Sequence, residues 1–264
     1  MITFYSSINF IAAAIMFAFS VFLYQGSSEK NIRAYTFYTA STACWGLGIA
    51  LYVYFSWEQY TLMLYALRYA YATGIPTAAA FYYFSRLQRD PNGSHKLMAR
   101  ILQILCIVQL GAYVFTSSLV TAIAYGHNYY ERIIQYDLLG FTIFNLTFAL
   151  LVGAAFTNLW QAWHLSPDPA RRAQSKLLFW AGVMAWWPPI LMCVLLFLVG
   201  NFSYYWVAPI VTSLWVVFTA YSIFRNNLFK VRIIVPALLI TILLAILFVN
   251  IFIPNFGDLF FVPK

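Results

Sequence analysis

Long apolar runs separated by short polar segments make up almost the whole chain. Eight runs reach the roughly 20 mostly apolar residues that a helix needs to cross the hydrocarbon core of a bilayer. The pattern therefore predicts an all-α, polytopic membrane bundle of about eight helices, which forms one domain over residues 1–264. The predicted helices are residues 8–24, 34–55, 60–84, 101–125, 138–163, 177–199, 205–224 and 233–253.

The composition indicates that lipid, not water, surrounds most of this surface. Apolar residues make up 63% of the chain and charged residues only 8%, whereas a soluble domain has roughly 45–50% apolar and about 25% charged residues. So few charges cannot cover a surface that faces water. The net charge of +8 is spread over the loops and forms no basic stripe interleaved with aromatic residues, so we expect no nucleic-acid partner.

The distribution of Lys and Arg predicts the orientation in the membrane. Twelve of the 15 basic residues lie in the first, third, fifth and seventh connections between helices, and Arg132 and Lys264 lie on the other side. Because Lys and Arg concentrate in cytoplasmic loops, we expect these four connections in the cytoplasm and the N-terminus outside. Eight helices then return the C-terminus to the outside as well.

Sequence signatures of catalysis are absent. The chain has no glycine-rich phosphate loop, no nucleophile elbow and no zinc-ligand spacing. His95, His127 and His164 lie in loops on two different sides of the predicted membrane, so they cannot share a metal ion. We therefore expect no enzymatic activity, no metal site and no cofactor.

Arg68 is the one strongly charged residue inside a predicted helix. It lies about eight residues from the outer end of the third helix, which is about 12 Å deep at a rise of 1.5 Å per residue. An unpaired charge at that depth is costly. Two interpretations stay open: Arg68 anchors a polar ligand head or pairs with an acid such as Asp137 or Glu131, or it snorkels outward to interfacial tyrosines.

Prolines interrupt three of the predicted helices. Gly74 and Pro76 lie in the third helix, Pro188 and Pro189 in the sixth, and Pro209 in the seventh. Since proline removes a backbone hydrogen bond and tends to kink a helix, we expect these three helices to be kinked around a cavity. The alternative is that these prolines are the ordinary prolines of membrane helices.

Helix direction places a set of aromatic and polar residues in the outer half of the bundle. The third, fifth and seventh helices run inward, so their early residues lie near the outer face. A mostly apolar, aromatic cavity with a few polar groups suits a small amphipathic ligand, although each aromatic residue is also compatible with helix packing or an interfacial belt. The candidate ligand-binding residues are Arg68, Tyr136, Asp137, Phe141, Phe144, Trp206 and Pro209.

Three segments carry a resemblance to a known family. Residues 200–209 read GNFSYYWVAP, residues 220–229 read AYSIFRNNLF ahead of a last apolar helix, and residues 80–85 read AFYYFS. In these segments and in the order of its helices, the chain resembles the N-terminal multi-helix membrane sensor region of bacterial histidine kinases. It is most similar to the LuxN-type quorum-sensing kinases.

The resemblance implies a receptor module of the bacterial inner membrane that takes part in two-component signal transduction. Its ligand would be a diffusible signal, typically an acyl-homoserine lactone, and Phe144, Trp206 and Pro209 match positions of the family's outer site. In that family a ninth helix, a phosphorylated histidine and an ATP-binding domain follow, and this sequence ends before them. We therefore expect a homodimer or a partner protein to supply the cytoplasmic output.

Two other function classes remain open. A non-catalytic structural subunit of a larger membrane complex fits the small number of charges and the missing catalytic motifs. A transporter or membrane-embedded enzyme is the third possibility, and it predicts paired polar residues within the membrane and an inverted repeat. The two halves of the sequence show no detectable similarity to each other, which lowers the support for this last class.

Overall fold

The computed structural model describes residues 2–26, 29–91, 96–125 and 132–190. The predicted seventh and eighth helices lie outside the described residues, as do Trp206 and Pro209. The description therefore covers the first six predicted helices, the last of them only in part.

The described chain is mostly helical, which confirms the main prediction about its secondary structure. A short 3₁₀ turn precedes α3, and two strands separate α4 from α5. Several helices extend a few residues beyond the apolar runs into their polar flanks. The elements are α1 (Ile2–Gly26), α2 (Lys30–Tyr54), the 3₁₀ turn (Trp57–Gln59), α3 (Tyr60–Arg89), α4 (Lys96–Phe115), β1 (Val120–Tyr125), β2 (Arg132–Tyr136), α5 (Leu138–Leu165) and α6 (Pro169–Ile190).

The prediction of the fourth helix is wrong in its last ten residues. The all-α prediction is also wrong there, because the chain forms two short strands. The apolar run 101–125 does not form one helix, because α4 ends at Phe115 and the run continues as β1. β1 pairs antiparallel with β2, and the two strands form a hairpin. β1 occupies the end of the fourth predicted helix, and β2 lies between the fourth and fifth predicted helices.

Hydroxyl side chains explain why α4 stops where it does. The hydroxyls of Thr116 and Ser118 both donate to the carbonyl oxygen of Ala112, the latter at 3.1 Å. Such local bonds from side chain to backbone compete with the helical ladder. The next residues, Val120 and Thr121, are β-branched and favour an extended backbone.

Three helices in the described part of the chain are long and apolar enough to cross a membrane: Ser6–Gln25, Lys96–Phe115 and Leu138–Leu165. The latter two leave most of their surface outside the protein core, with 17% and 22% of their most apolar stretches buried. These faces have the length and composition of surfaces that contact lipid. The number of eight spans and the orientation stay predictions.

Helix α3 lies at the centre of the bundle and is unlike these three. It packs against α2, α4 and α5, and 20 of its 30 residues are buried. Polar side chains are among them, including Arg68, Thr73 and Gln88. A helix that other helices surround does not need an apolar exterior, which explains how these polar residues are accommodated in α3.

The predicted kinks stay predictions. α3 is one continuous α-helix through Gly74 and Pro76. Beside the proline, the Thr73 hydroxyl donates to the carbonyl oxygens of Tyr69 and Ala70 at 3.0 and 2.9 Å. α6 likewise continues as a helix to Ile190. The predicted kink in the seventh helix lies outside the described residues.

Two clusters of buried side chains form the core, one toward each end of α3. The cluster near the hairpin includes Leu67, Leu119 and Phe144, and the cluster toward the other end includes Tyr38 and Phe81. Phe148 and Leu151 of α5 pack against both clusters. The core is therefore continuous along the bundle.

Two glycines of α5 provide a direct test of this packing. A Cβ added at Gly140 would lie 1.5 Å from the carbonyl oxygen of Ser118, whereas a Cβ added at Gly153 would meet no atom within 4 Å. We expect Gly140→Ala to lower the free energy of unfolding by about 1–3 kcal/mol, because backbone must move aside. Gly153→Ala should leave that energy unchanged or raise it by up to about 1 kcal/mol through helix propensity.

Thermal unfolding of the detergent-solubilised protein measures both changes. Equal Tm values for the two variants would contradict the close approach of the segment before β1 to the start of α5.

Candidate functional site

The candidate site lies at the end of the bundle that the β1–β2 hairpin covers, here called the hairpin end. Val120 stands opposite Tyr136 and Ile123 opposite Ile134, with an irregularity after Val120. Because side chains alternate along a strand, one face of the hairpin turns inward, and Ile123 and Ile134 are buried there. Their burial against the bundle, together with the contact between β1 and α3, holds the hairpin over the helix ends.

Asp137 joins the hairpin to α5. Its backbone N–H donates to the carbonyl oxygen of Leu119 at 2.9 Å. Its side-chain oxygen Oδ2 accepts from the backbone N–H of Gly140 at 2.7 Å, so Asp137 is the N-cap of α5. A carboxylate at the cap satisfies an otherwise unpaired N–H, and its negative charge interacts favourably with the positive end of the helix dipole. Asp137 thus has a structural role in addition to the predicted ligand contact.

Arg68 ties the middle of the bundle to the hairpin. Its side chain is 8% exposed, and Nε donates to the carbonyl oxygen of Val120 at 3.0 Å. The guanidinium carbon lies 5.8 Å from the ring centre of Tyr65. Of the acids considered as partners, Asp137 caps α5 and Glu131 lies outside the described residues. The acceptor that the structure gives Arg68 is instead a backbone carbonyl, that of Val120, which the sequence did not indicate.

Aromatic side chains from α3, β2 and α5 meet beneath the hairpin. The hydroxyls of Tyr71 and Tyr136 are hydrogen-bonded to each other, and their rings pack edge to face with centroids 5.6 Å apart. Tyr136 also packs on Phe141 at 4.7 Å, and Tyr71 on Phe144 at 5.5 Å. Together with Tyr113 of α4, 5.9 Å from Phe144, these residues form what we call the hairpin cluster.

The hairpin cluster continues toward the other end of the bundle through a chain of rings. Phe144 stacks on Phe148 at 5.9 Å, and Phe148 packs against Trp186 of α6 at 5.4 Å. Trp186 in turn lies 5.5 Å from Phe81 of α3. If the rings beneath the hairpin move, the contacts that pack α3, α5 and α6 together must therefore adjust as well.

Gly74 has a packing role beside this chain of rings. A Cβ at Gly74 would lie 3.2 Å from the Phe144 ring. The glycine of the predicted kink therefore allows the α5 ring to lie close against α3.

The structure brings together five of the seven candidate residues, although the sequence placed them on separate elements. Phe144 is buried, whereas Tyr136 and Phe141 are half-buried at the edge of the cluster. The candidates Trp206 and Pro209 lie outside the described residues. The five that share the site are Arg68, Tyr136, Asp137, Phe141 and Phe144.

Sequence reasoning missed Arg132, which joins β2 to the end of α2. Its guanidinium donates to the carbonyl oxygens of Tyr52 and Phe55, the latter at 2.7 Å. The same group lies 5.1 Å from the Tyr52 ring centre and 5.9 Å from that of Trp57. A cation is favoured at the C-terminus of a helix, where the last carbonyls have no helical partner. Its position as a lone basic residue in an outer connection was the available signal.

The arrangement offers groups that can bind a ligand. Ring faces, two tyrosine hydroxyls and a guanidinium can contact a ligand that is apolar over most of its surface and polar at one end. Among the described residues, no group of three or more His, Cys, Asp or Glu side chains is placed to hold a metal ion.

Comparison with known proteins assigns no family. No protein-family model matches the chain, and no curated protein matches it significantly. The resemblance to histidine-kinase sensor regions therefore stays a hypothesis that depends on the segments quoted above.

Arg132 is expected to stabilise the junction between the hairpin and α2. Arg132→Met keeps an unbranched apolar side chain and removes the donors, so it should lower the free energy of unfolding by about 1–3 kcal/mol, as for a charge-assisted hydrogen bond. Arg132→Lys retains the charge near the helix end and should recover part of that loss. Chemical unfolding in mild detergent measures both, and a Met variant as stable as the parent would contradict this role.

The hydroxyl pair of Tyr71 and Tyr136 is testable by a double-mutant cycle. We expect each single change to Phe to destabilise the protein, and the double change to cost less than the sum by about 1 kcal/mol, because the second removes a hydroxyl whose partner is already gone. Unfolding energies of the four proteins give the coupling. Strict additivity would show that the two hydroxyls do not interact in solution.

Proposed function

We propose that the chain is a membrane sensor module that binds a small amphipathic ligand at the hairpin cluster. The observation that carries this proposal is the convergence of Arg68, Tyr136, Phe141 and Phe144 beneath one hairpin, in rings that continue to Trp186. The hairpin cluster supplies an apolar surface and hydroxyl groups, and Arg68 supplies a cation about one helical turn from Tyr71 on α3. This is the chemistry that recognises a lipid-like tail with a polar head.

The route for a ligand follows from burial. The rings of the hairpin cluster touch each other, so a ligand enters by parting Tyr136 and Phe141, the half-buried pair at the edge. Its polar head then competes for the Tyr71–Tyr136 hydroxyl pair or for the guanidinium of Arg68. Binding shifts the equilibrium between two packings only if it favours one of them. The chain of rings through Phe148 is the element that would differ between the two.

The topology expected from the basic residues completes this proposal. Eight spans with the N-terminus outside put the hairpin end on the outer side of a bacterial inner membrane, where a diffusible signal arrives. The acyl-homoserine lactones implied by the resemblance have an apolar tail and a polar ring. The signal would pass to a cytoplasmic kinase output in a homodimer or on a partner protein.

A second candidate is a non-catalytic subunit of a larger membrane complex. The observation that favours it is the apolar, exposed side of α4, where Ile104, Ile107, Val108 and Phe115 are between 62% and 77% exposed. Lipid or another membrane protein can cover such a surface. A subunit should co-purify with its complex in fixed stoichiometry, whereas a sensor module should bind a small ligand as an isolated chain.

Titration with N-octanoyl-homoserine lactone tests the sensor proposal. We expect saturable quenching of tryptophan fluorescence in the purified protein. Phe141→Ala should weaken binding by about tenfold, which corresponds to about 1.4 kcal/mol. Ile107→Ala, on the exposed side of α4, is the control and should bind like the parent.

Two results would reject this ligand class. One is the absence of saturation, and the other is equal affinity of the parent and the Phe141→Ala variant. Reproducible recovery of the chain in a fixed-stoichiometry complex, combined with no saturation, would favour the structural subunit.

A further inference from the structure

A small cavity lies at the end of the bundle opposite the hairpin. It has a volume of about 180 Å³ and is formed where the starts of α2 and α6 meet the end of α3. It shares no residue with the hairpin cluster, so what it binds is independent of the ligand proposed there. Its polar lining residues are Glu29, Asn31, Gln88, Asp168, Arg171 and Gln174.

The lining is graded from a buried amide floor to a charged rim. Gln88 and Gln174 are only 4% and 8% exposed. Glu29 and Asp168 are exposed, and Arg171 is half-buried. Both signs of charge therefore stand around one small opening, above two buried amide side chains.

Gln88 has an unused hydrogen-bonding group. Its Nε2 atom is buried and has no hydrogen-bond partner in the described part of the chain. Nearby residues of α3 differ, because Ser85 and Arg89 both bond to the Asn158 side chain, at 3.3 and 3.5 Å. Buried amides without partners are exceptions in folded proteins and call for an explanation. Gln88 is among the residues that line the cavity, and its amide carries both a donor and an acceptor.

The charged rim is held in position by the start of α6. The Asp168 side chain accepts from the backbone N–H of Ala170 at 3.0 Å through Oδ1, as an N-capping residue does. Arg171 follows on the first turn of the same helix. A guanidinium binds a carboxylate through two parallel hydrogen bonds, whereas the carboxylates of Glu29 and Asp168 favour an ammonium group.

The size of the cavity limits the ligand to a small molecule. Its volume of about 180 Å³ is well above the roughly 10–15 Å³ that a cavity needs to hold one water molecule, so a ligand of several heavy atoms fits. Leu87 and Ala170, which also line it, offer an apolar wall. We propose that this cavity binds a small zwitterion of the amino-acid type, with its carboxylate on Arg171 and the Gln88 amide and its ammonium group facing Glu29 and Asp168.

Calorimetric titration of the full chain in detergent with L-alanine tests this proposal. Propionate lacks the ammonium group and ethylamine lacks the carboxylate, so each retains one half of the recognition. We expect saturable binding of L-alanine at millimolar concentration and at least about tenfold weaker binding of either analogue. Equal binding of propionate would overturn the proposal in favour of a simple anion contact at Arg171, and no saturation by L-alanine would overturn it entirely.

Neighbouring residues provide matched variants. Gln88→Leu removes the unpaired amide, so we expect it to fold at least as well as the parent and to bind L-alanine at least about tenfold more weakly. Arg171→Gln should show the same loss if the leucine variant fails to fold. Arg172→Gln, an exposed neighbour outside the lining, should bind like the parent. Undiminished binding in the Gln88 and Arg171 variants would place the ligand elsewhere and reject the cavity.

Discussion

Helix α3 contains a buried arginine and several buried hydroxyl and amide side chains. These polar groups constrain which surroundings the helix can have. Polar groups exposed to hydrocarbon cost several kcal/mol each, so a helix of this kind has to be covered by protein. α2, α4 and α5 supply that cover. Because the central helix takes the polar residues, the apolar faces of α4 and α5 are left for the periphery, where only a small share of their residues is buried.

The polar groups of α3 are satisfied in two different ways. Hydroxyls such as that of Thr77 donate to a carbonyl of their own helix, here that of Thr73 at 2.9 Å, and need no neighbour. Arg68 is too long and too strongly charged for this solution, and it reaches the backbone of β1. The hairpin thus supplies Arg68 with a hydrogen-bond acceptor, which water would supply at an exposed surface. Arg132 acts in the opposite direction, from the hairpin to the open carbonyls of α2.

The same contacts explain why the candidate site is at the hairpin end. Helix direction predicts that Arg68, Tyr136 and Phe144 lie in the outer half of the bundle, and the structure brings all three to the hairpin end. The hairpin itself was missed because an apolar stretch such as residues 119–125, LVTAIAY, suits a buried helix and a buried strand equally well. Two hydroxyl residues before it decided the outcome, through bonds to the last turn of α4.

The sequence by itself determined the helical character of most of the described chain and its apolar composition, since periodicity and composition are local properties. Only the tertiary structure decided which groups meet. The acceptor of Arg68 lies 52 residues away along the chain, and a backbone carbonyl leaves no mark in the sequence. The cavity at Gln88 likewise depends on three helix ends that no local pattern relates to one another, because contacts between distant segments arise only when the helices pack.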